Sequence, residues 1–232
     1  MEMMVSPADE ETASPYLRPY VLVTVATLAV IKGELVTSLR LAGVGNPDPV
    51  GKSTRWELLS CQPGMGMTLD ETARHAVEAW LPSGPAYVEQ LLTCEETETG
   101  NPTPRLQVVY FALVCPPSEA SVFRSAAGEV KWWPLDNLPP LHATQSRLLD
   151  AARERLRDRL GHTDVAASLL EVEFSLSELQ QVYEAVQGRE LDKRNFRKWV
   201  LGGSLVEPTA HYRREGAHRP ARLYRFVRRE AA

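Results

Sequence analysis

Apolar positions fall into two patterns along this chain, one nearly continuous and one periodic. Tyr20 to Ile31 is dense in Val, Leu and Thr and is bounded by Pro19 and by Lys32-Gly33. That pattern predicts a buried strand, and the Lys-Gly turn leads to a second strand through Leu41. Tyr87 to Cys94 and Leu106 to Cys115 read as further strands, with Trp56 to Ser60 and Lys131 to Leu135 as short ones. Gly43 to Lys52 and Glu95 to Arg105 are polar or proline-containing and read as loops.

Helical spacing takes over elsewhere. Thr68 with Glu71 three residues later forms a capping-box pattern, followed by Leu69, Ala73, Ala76, Val77 and Trp80 at helical intervals and by Pro82 as a stop. Arg147 to Leu160 predicts a second helix, with Leu148, Leu149, Ala152, Leu156 and Leu160 inward and alternating charges outward. Thr163 to Leu170 reads as a short helix. Ser175 with Glu178 opens another, running to about Gln187 with Leu179, Val182, Tyr183 and Val186 inward, and Gly188 ends it.

Four residues later Asp192 caps a short basic helix that Gly202-Gly203 stops. On a helical wheel Phe196, Trp199 and Val200 share one face, and Arg194, Arg197 and Lys198 share the opposite one. Ser204 to Glu207 suggests a short strand, and Ala221 to Val227 alternates as a second, with the polar stretch Tyr212 to Arg219 between them. Helix, glycine turn, basic helix and two-stranded ribbon is the plan of a winged helix-turn-helix.

Charge supports a nucleic-acid partner for this element. From Arg189 to Arg229 there are twelve Lys/Arg against four acids, a net of +8 in a chain whose total is −4. A solvated charged helix beside a solvated hairpin would also carry such a run, but the core-facing aromatics, the glycine stop and the basic hairpin favour phosphate contact. The wheel assigns Arg194, Arg197 and Lys198 to the major groove and Lys193, Arg219 and Arg222 to phosphates or the minor groove. Asn195 joins the predicted contact set. A winged helix this small reads few base pairs alone. It therefore predicts two copies on a near-palindromic operator in double-stranded DNA, and a homodimer held through the N-terminal domain.

Composition narrows the rest. At 232 residues, 44% hydrophobic and 24% charged, the chain suits two modest soluble domains. No apolar run is long enough to cross a bilayer, and residues 1–18 form an acidic, Pro- and Ser-containing tail expected to be disordered, with no signal-peptide character. Cys61, Cys94 and Cys115 are odd in number and lack metal-finger spacing, which points to reduced structural thiols of a cytoplasmic protein and to no zinc site. Residues 1–150 hold ten bases and eighteen acids, a net of −8. Residues 151–232 hold sixteen bases and twelve acids, a net of +4, the asymmetry of a sensing domain joined to a DNA-contacting one.

FSLSELQQVYEAVQGRELDKRNFRKWVL followed by HRPARLYRF closely resembles the C-terminal domain of the Nudix-related transcriptional regulators, the NrtR family. KWWPLDNLPPL resembles the tryptophan- and proline-containing stretch near the end of their Nudix-like domain, and TLDETARHAVEAWL sits where a Nudix helix would be. The resemblance implies an α+β fold: a Nudix-like domain over residues 19–160, including a linker helix, then a winged helix-turn-helix domain over 161–232. It implies a dimeric repressor of NAD-biosynthesis or related genes whose effector is ADP-ribose or a related nucleotide.

A working Nudix hydrolase carries Arg-Glu-x-x-Glu-Glu on this helix, because Mg²⁺ at a pyrophosphate needs several oxygen ligands. Here the run is Arg74-His75-Ala76-Val77-Glu78-Ala79, so two of three glutamates are replaced. The expectation is a catalytically dead domain with no catalytic residue, metal or cofactor. Glu78 and Arg74 read as an i,i+4 ion pair and His75 as an exposed helix residue. Family members also tend to carry Ala-Phe-Asp-His after the Leu-Pro-Pro-Leu turn, where this chain has His142-Ala143-Thr144-Gln145. The effector pocket is thus open to ADP-ribose, another ligand or none, with Arg40, Arg55, Arg74 and Glu78 as its candidate residues. The alternative function is a Nudix-type nucleotide pyrophosphatase with a basic C-terminal module.

Overall fold

The computed structural model describes residues 20–42, 56–96, 105–115, 122–125, 128–161, 163–214 and 220–227. The expected tail, the Gly43–Lys52 loop, Arg55 and Arg219 lie outside the described residues. Strands β1 (Tyr20–Ile31), β2 (Glu34–Leu41), β3 (Trp56–Glu57) and β4 (Leu59–Cys61) precede helix α1 (Leu69–Trp80). Strands β5 (Tyr87–Glu96), β6 (Arg105–Leu113), β7 (Val122–Ser125) and β8 (Gly128–Pro134) follow. The chain then forms α2 (Ala143–Arg159), α3 (Thr163–Ala167), β9 (Phe174–Ser175), α4 (Leu176–Gln187), α5 (Lys193–Gly202), β10 (Val206–Arg213) and β11 (Ala221–Phe226).

The larger sheet runs in the order β5-β6-β1-β2-β8-β7, with β3 paired to β2 and β4 to β1. β1 and β6 are parallel, from Tyr20 opposite Arg105 to Leu28 opposite Leu113. Both faces of these central strands are covered, which is why their sequence is continuously apolar rather than alternating. Val23, Val25 and Ala29 of β1 and Val108, Tyr110 and Ala112 of β6 pack with Ala73, Ala76 and Val77 of α1. Ala26 and Leu28, with Val109, Phe111 and Leu113, face the other way onto Leu148, Leu149, Ala152 and Leu156 of α2. Each Val, Leu or Phe among them contributes about 1.5–3 kcal/mol on full burial.

The second core does not stop at α2. It continues through Leu179, Val182 and Val186 of α4 to Phe196 and Val200 of α5 and Val206 of β10. Polar ties reinforce it. Tyr183 donates its hydroxyl to the Leu160 carbonyl at 3.2 Å, and Arg157 Nε donates to the Val186 carbonyl at 2.9 Å. On the sheet side, Arg155 and Arg159 of α2 both reach Glu89 of β5, at 2.5 and 3.0 Å. Burial pushes the Glu89 carboxyl up, but hydrogen bonds from Tyr87, Arg159 and Arg155 outweigh this and hold it below its usual range.

Several elements differ from the sequence expectation. Trp56 to Ser60 is not one strand: β3 joins β2 and β4 joins β1, with buried Leu58 at the crossing. α2 begins at Ala143 rather than Arg147. Its N-cap is His142, whose ring Nδ1 accepts from Thr144 N–H at 3.4 Å, a weak cap without the usual Ser, Thr or Asp signal. α3 ends at Ala167, and β5 reaches Glu96 instead of giving way to a loop. β10 starts at Val206 and runs to Arg213, into the stretch expected to be a polar turn. Its register shifts between Pro208 and Tyr212, so the alternation that marks a strand is broken. β7 and β9 were not expected; a two-residue strand such as β9 carries no period to read. The three cysteines are free thiols. Among the described residues no helix is long and apolar enough to cross a membrane.

Candidate nucleic-acid interface

Local hydrogen bonds build the helix-turn-helix from its ends inward. Ser175 Oγ accepts from Glu178 N–H at 3.2 Å, and the Glu178 carboxylate accepts from Ser175 N–H at 2.6 Å, completing the expected capping box of α4. Gly188 caps the other end with φ 68° and ψ 28°, a left-handed conformation that glycine adopts without penalty. The turn is then pinned. Gln180 Nε2 donates to the Leu191 carbonyl at 2.9 Å, and Leu191 N–H donates to Glu184 Oε1 at 2.9 Å. Gln180 also donates to Glu184 at 2.8 Å, so one turn of α4 fixes where α5 can start. Sequence reading missed this pair, although the i,i+4 spacing of an amide and a carboxylate was a legible sign. Asp192 accepts from Asn195 N–H at 2.8 Å and caps α5 as expected.

Phe196 and Val200 of α5 are buried at 5% and 0% exposure. Trp199 is not: it is 48% exposed, which corrects its assignment to the inner face. Steps of 100° per residue place it on a flank rather than beneath the helix. There its ring stands edge-on to Tyr183 at 5.3 Å and tilted against Phe196 at 5.7 Å. Asn195 shares this flank. Arg194 and Lys198 form the outer ridge, and Lys193 is exposed in the first turn. Arg197 leans to the opposite flank, where it lines a cleft of about 370 Å³ with Leu201 of α5, Ser175 and Ser177 at the start of α4, and Arg222 of β11. The structure therefore brings Arg197 and Arg222 to one cleft between the basic helix and the ribbon. Among the described residues, the side chains of Lys193, Arg194, Arg197, Lys198 and Arg222 form no ion pair.

Arg213, Arg225 and His211 are spent on structure. Arg213 bridges Glu178 and Glu171, each at 2.6 Å, and donates to the Glu173 carbonyl at 3.1 Å. Arg225 pairs across the ribbon with Glu207 at 2.6 Å, and His211 faces Glu173 at 2.8 Å. The contacts of Arg213 and His211 fasten the ribbon to the segment leading into α4 and to α4 itself, and with Arg225 they take two arginines out of the free positive surface.

Among the described N-terminal candidates, no ion pair joins Arg40, Arg74 and Glu78 to one another. Arg40 forms an ion pair with Glu57 at 2.5 Å and lies 5.5 Å from the Trp80 ring centroid. Arg74 and Glu78 are exposed, and no ion pair joins them, against expectation; His75 is exposed as expected. The three carboxylates of α1 point to separate tasks. Asp70 accepts from the Tyr110 hydroxyl at 2.6 Å. Burial, reinforced by that carboxylate, pushes the Tyr110 phenol far above its usual range and keeps it a donor. Glu71 accepts from Thr68 N–H at 2.8 Å, and its hydrogen bonds from Thr68 hold its carboxyl below the usual range. Glu78 lies over Gly84, its Oε1 3.5 Å from where a Cβ would stand. A magnesium ion at a pyrophosphate needs converging oxygens, and these three do not converge. Among the described residues no three His, Cys, Asp or Glu side chains gather at metal-binding distance.

Comparison with known proteins adds four likenesses. Residues 166–226 match the NrtR DNA-binding winged helix domain. The ADPR responsive transcriptional repressor NtrR of Acinetobacter baylyi is 39% identical over 80 residues, which span 34% of this chain and 32% of that relative. The chain thus aligns with about a third of the length of the curated relative it matches. The crystal structure of Shewanella oneidensis NrtR complexed with a 27mer DNA superposes with a TM-score of 0.70 at 25% identity, covering 90% of this chain and 94% of that one. The Nudix domain of the same protein, complexed with ADP ribose, superposes with a TM-score of 0.50 at 23% identity over 65% of this chain and 94% of that one, a likeness of fold. The architecture is a Nudix-like α+β domain followed by a winged helix-turn-helix.

Proposed function

We propose that the chain is a member of the NrtR family, whose winged helix domain residues 166–226 match, and that it is a sequence-specific DNA-binding transcriptional repressor acting as a cytoplasmic homodimer. One observation carries this reading: α5 presents Lys193, Arg194, Arg197 and Lys198 free of ion pairs, next to a cleft that Arg222 closes from the ribbon. Arg194 and Lys198 on the ridge enter the major groove of a near-palindromic operator. Lys193, Arg222 and Arg219 hold phosphates, with Arg197 and Asn195 on the two flanks. The regulated genes are those of NAD biosynthesis or related pathways.

The Nudix-like domain serves as a sensor and is catalytically dead. Two glutamates of the hydrolase pattern are His75 and Ala79, and the remaining carboxylates of α1 are directed apart. ADP-ribose or a related nucleotide is the effector, in keeping with the ADPR-responsive relative. Arg40, Arg55, Arg74 and Glu78 are its candidate contacts.

Selection of the full chain against randomised duplex DNA tests the reading. The expected result is an enriched near-palindrome with half-site centres about 10–10.5 bp apart, or a multiple of it, and a change in affinity for it on adding ADP-ribose. Selected pools no different from the input would overturn the DNA assignment. AMP release from ADP-ribose with Mg²⁺ on the order of 1 s⁻¹ or faster, abolished by Glu78→Gln, would overturn the dead-enzyme assignment separately.

A further inference from the structure

On the flank of α5 away from the ribbon lies a groove of about 430 Å³, between the end of α2, the second half of α4, the turn and α5. That volume is within the range of small-molecule sites, ~300–1,000 Å³. One wall is aromatic. Tyr183, Phe196 and Trp199 meet pairwise with ring centroids 5.5, 5.3 and 5.7 Å apart. Tyr183 and Phe196 are nearly closed to solvent, whereas Trp199 leaves 48% of its surface in the open. The other wall carries Arg157 and Arg189.

Each guanidinium is oriented by its own Nε. Arg157 Nε donates to the Val186 carbonyl and Arg189 Nε to the Gln187 side-chain oxygen, both at 2.9 Å. Among the described residues their terminal nitrogens have no further partner. Asp192 is the one acid in the lining, and its carboxylate is engaged by the Asn195 amide. An open aromatic face beside two pre-oriented forks, with a single capped acid, matches a flat ring that bears a negative group.

We propose that this groove binds a small planar aromatic anion, with its ring on the Trp199 wall and its carboxylate or phosphate on Arg157 and Arg189. The groove lies between the end of α2 and the winged helix and includes none of Arg40, Arg74 and Glu78, so the inference goes beyond the proposed effector and stands whether or not that effector is ADP-ribose. Because Asn195, Phe196 and Trp199 belong to α5, an occupant braces the recognition helix against α2 and α4.

The probe is 2-naphthoate, titrated into the full chain with ¹⁵N-labelled tryptophan. The chain has five tryptophans, and Trp199→Phe identifies the Trp199 indole signal. That signal should move saturably with a dissociation constant on the order of a millimolar, as expected of about a dozen non-hydrogen atoms. Arg189→Gln should weaken binding about tenfold, the loss of one charge-assisted contact. Arg157→Gln should do the same, and since it also breaks the bond to Val186, the Arg189 variant is the decisive one. Neutral 2-naphthalenemethanol should bind about tenfold more weakly than the acid. A Trp199 signal that stays fixed up to about 10 mM probe, or that responds equally to the alcohol and the acid, would overturn the proposal.

Discussion

Helices α1 and α5 are built alike and end with opposite uses. Both are short and capped at the N-terminus by a side-chain oxygen, and both lay an apolar stripe against a buried core. They differ on the face left in water. α1 exposes Glu71, Arg74, His75 and Glu78, a mixture of signs in which Glu71 is held by the helix cap. α5 exposes Lys193, Arg194, Arg197 and Lys198 with no acid among them. The apolar stripe therefore decides where a helix sits, and the composition of its outer face decides what it can meet. A face of mixed charge is a poor host for a polyanion, while an all-cationic ridge beside a second cationic element is a good one.

That contrast can be broken at several depths. The largest effect is expected at the packing level. Phe196→Ala should cost about 3–5 kcal/mol in urea unfolding, since Phe196 joins the core running back to α2. A loss below about 1 kcal/mol would mean α5 is not seated as described. Next comes the outer face. Arg194→Ala should remove ~1–3 kcal/mol of discrimination at one operator position, whereas Arg74→Ala on α1 should leave DNA binding unchanged. Equal effects of the two on operator titrations would erase the distinction between the helices.

A smaller effect tests the tie between the sheet and α2. The Glu89 carboxyl titrates below the ordinary ~4.3 of a free glutamate, so its contribution is fully present above that value and is lost as the pH falls through the lower folded one. Arg155 and Arg159 are 33% and 43% exposed, which screens the network. Glu89→Gln should therefore cost only about 1 kcal/mol at pH 7 and close to nothing in strong acid. Thermal melts that show the same penalty at both pH values would contradict this. The smallest effect belongs to Arg222→Ala. It should weaken operator and scrambled DNA alike and lower the salt slope by about one unit; a sequence-selective loss would move Arg222 from the phosphates to the bases.

Much of the fold could be read from the chain. Capping boxes at Thr68 and Ser175, the Asp192 cap and the Gly188 stop are local chemistry, and each appears where the residues place it. The long strands β1, β2 and β6 were legible from their continuous apolar runs, within a residue or two at their ends. The edges were not. β9 is too short to have a period, and the shift within β10 hides its alternation behind Pro208. His142 gave no warning of a helix start, because imidazole is not a customary cap and the tether from Leu58 N–H to Gln145 comes from a residue far away in sequence, between β3 and β4.

The same division runs through the candidate site. Local sequence determined that a capped basic helix follows a glycine turn, and that a ribbon follows it, because caps, turns and helical period act over a few residues. Tertiary structure alone decided which charges remain free. Arg213 and Arg225 count as cations in any tally of the chain, yet acids 18 to 42 residues away neutralise them. It also put Arg197 and Arg222 in one cleft, left Trp199 half open, and kept Arg74 and Glu78 apart despite their ideal spacing. Pairing across such separations depends on where the cores dock the elements, and no periodicity within a single element records that.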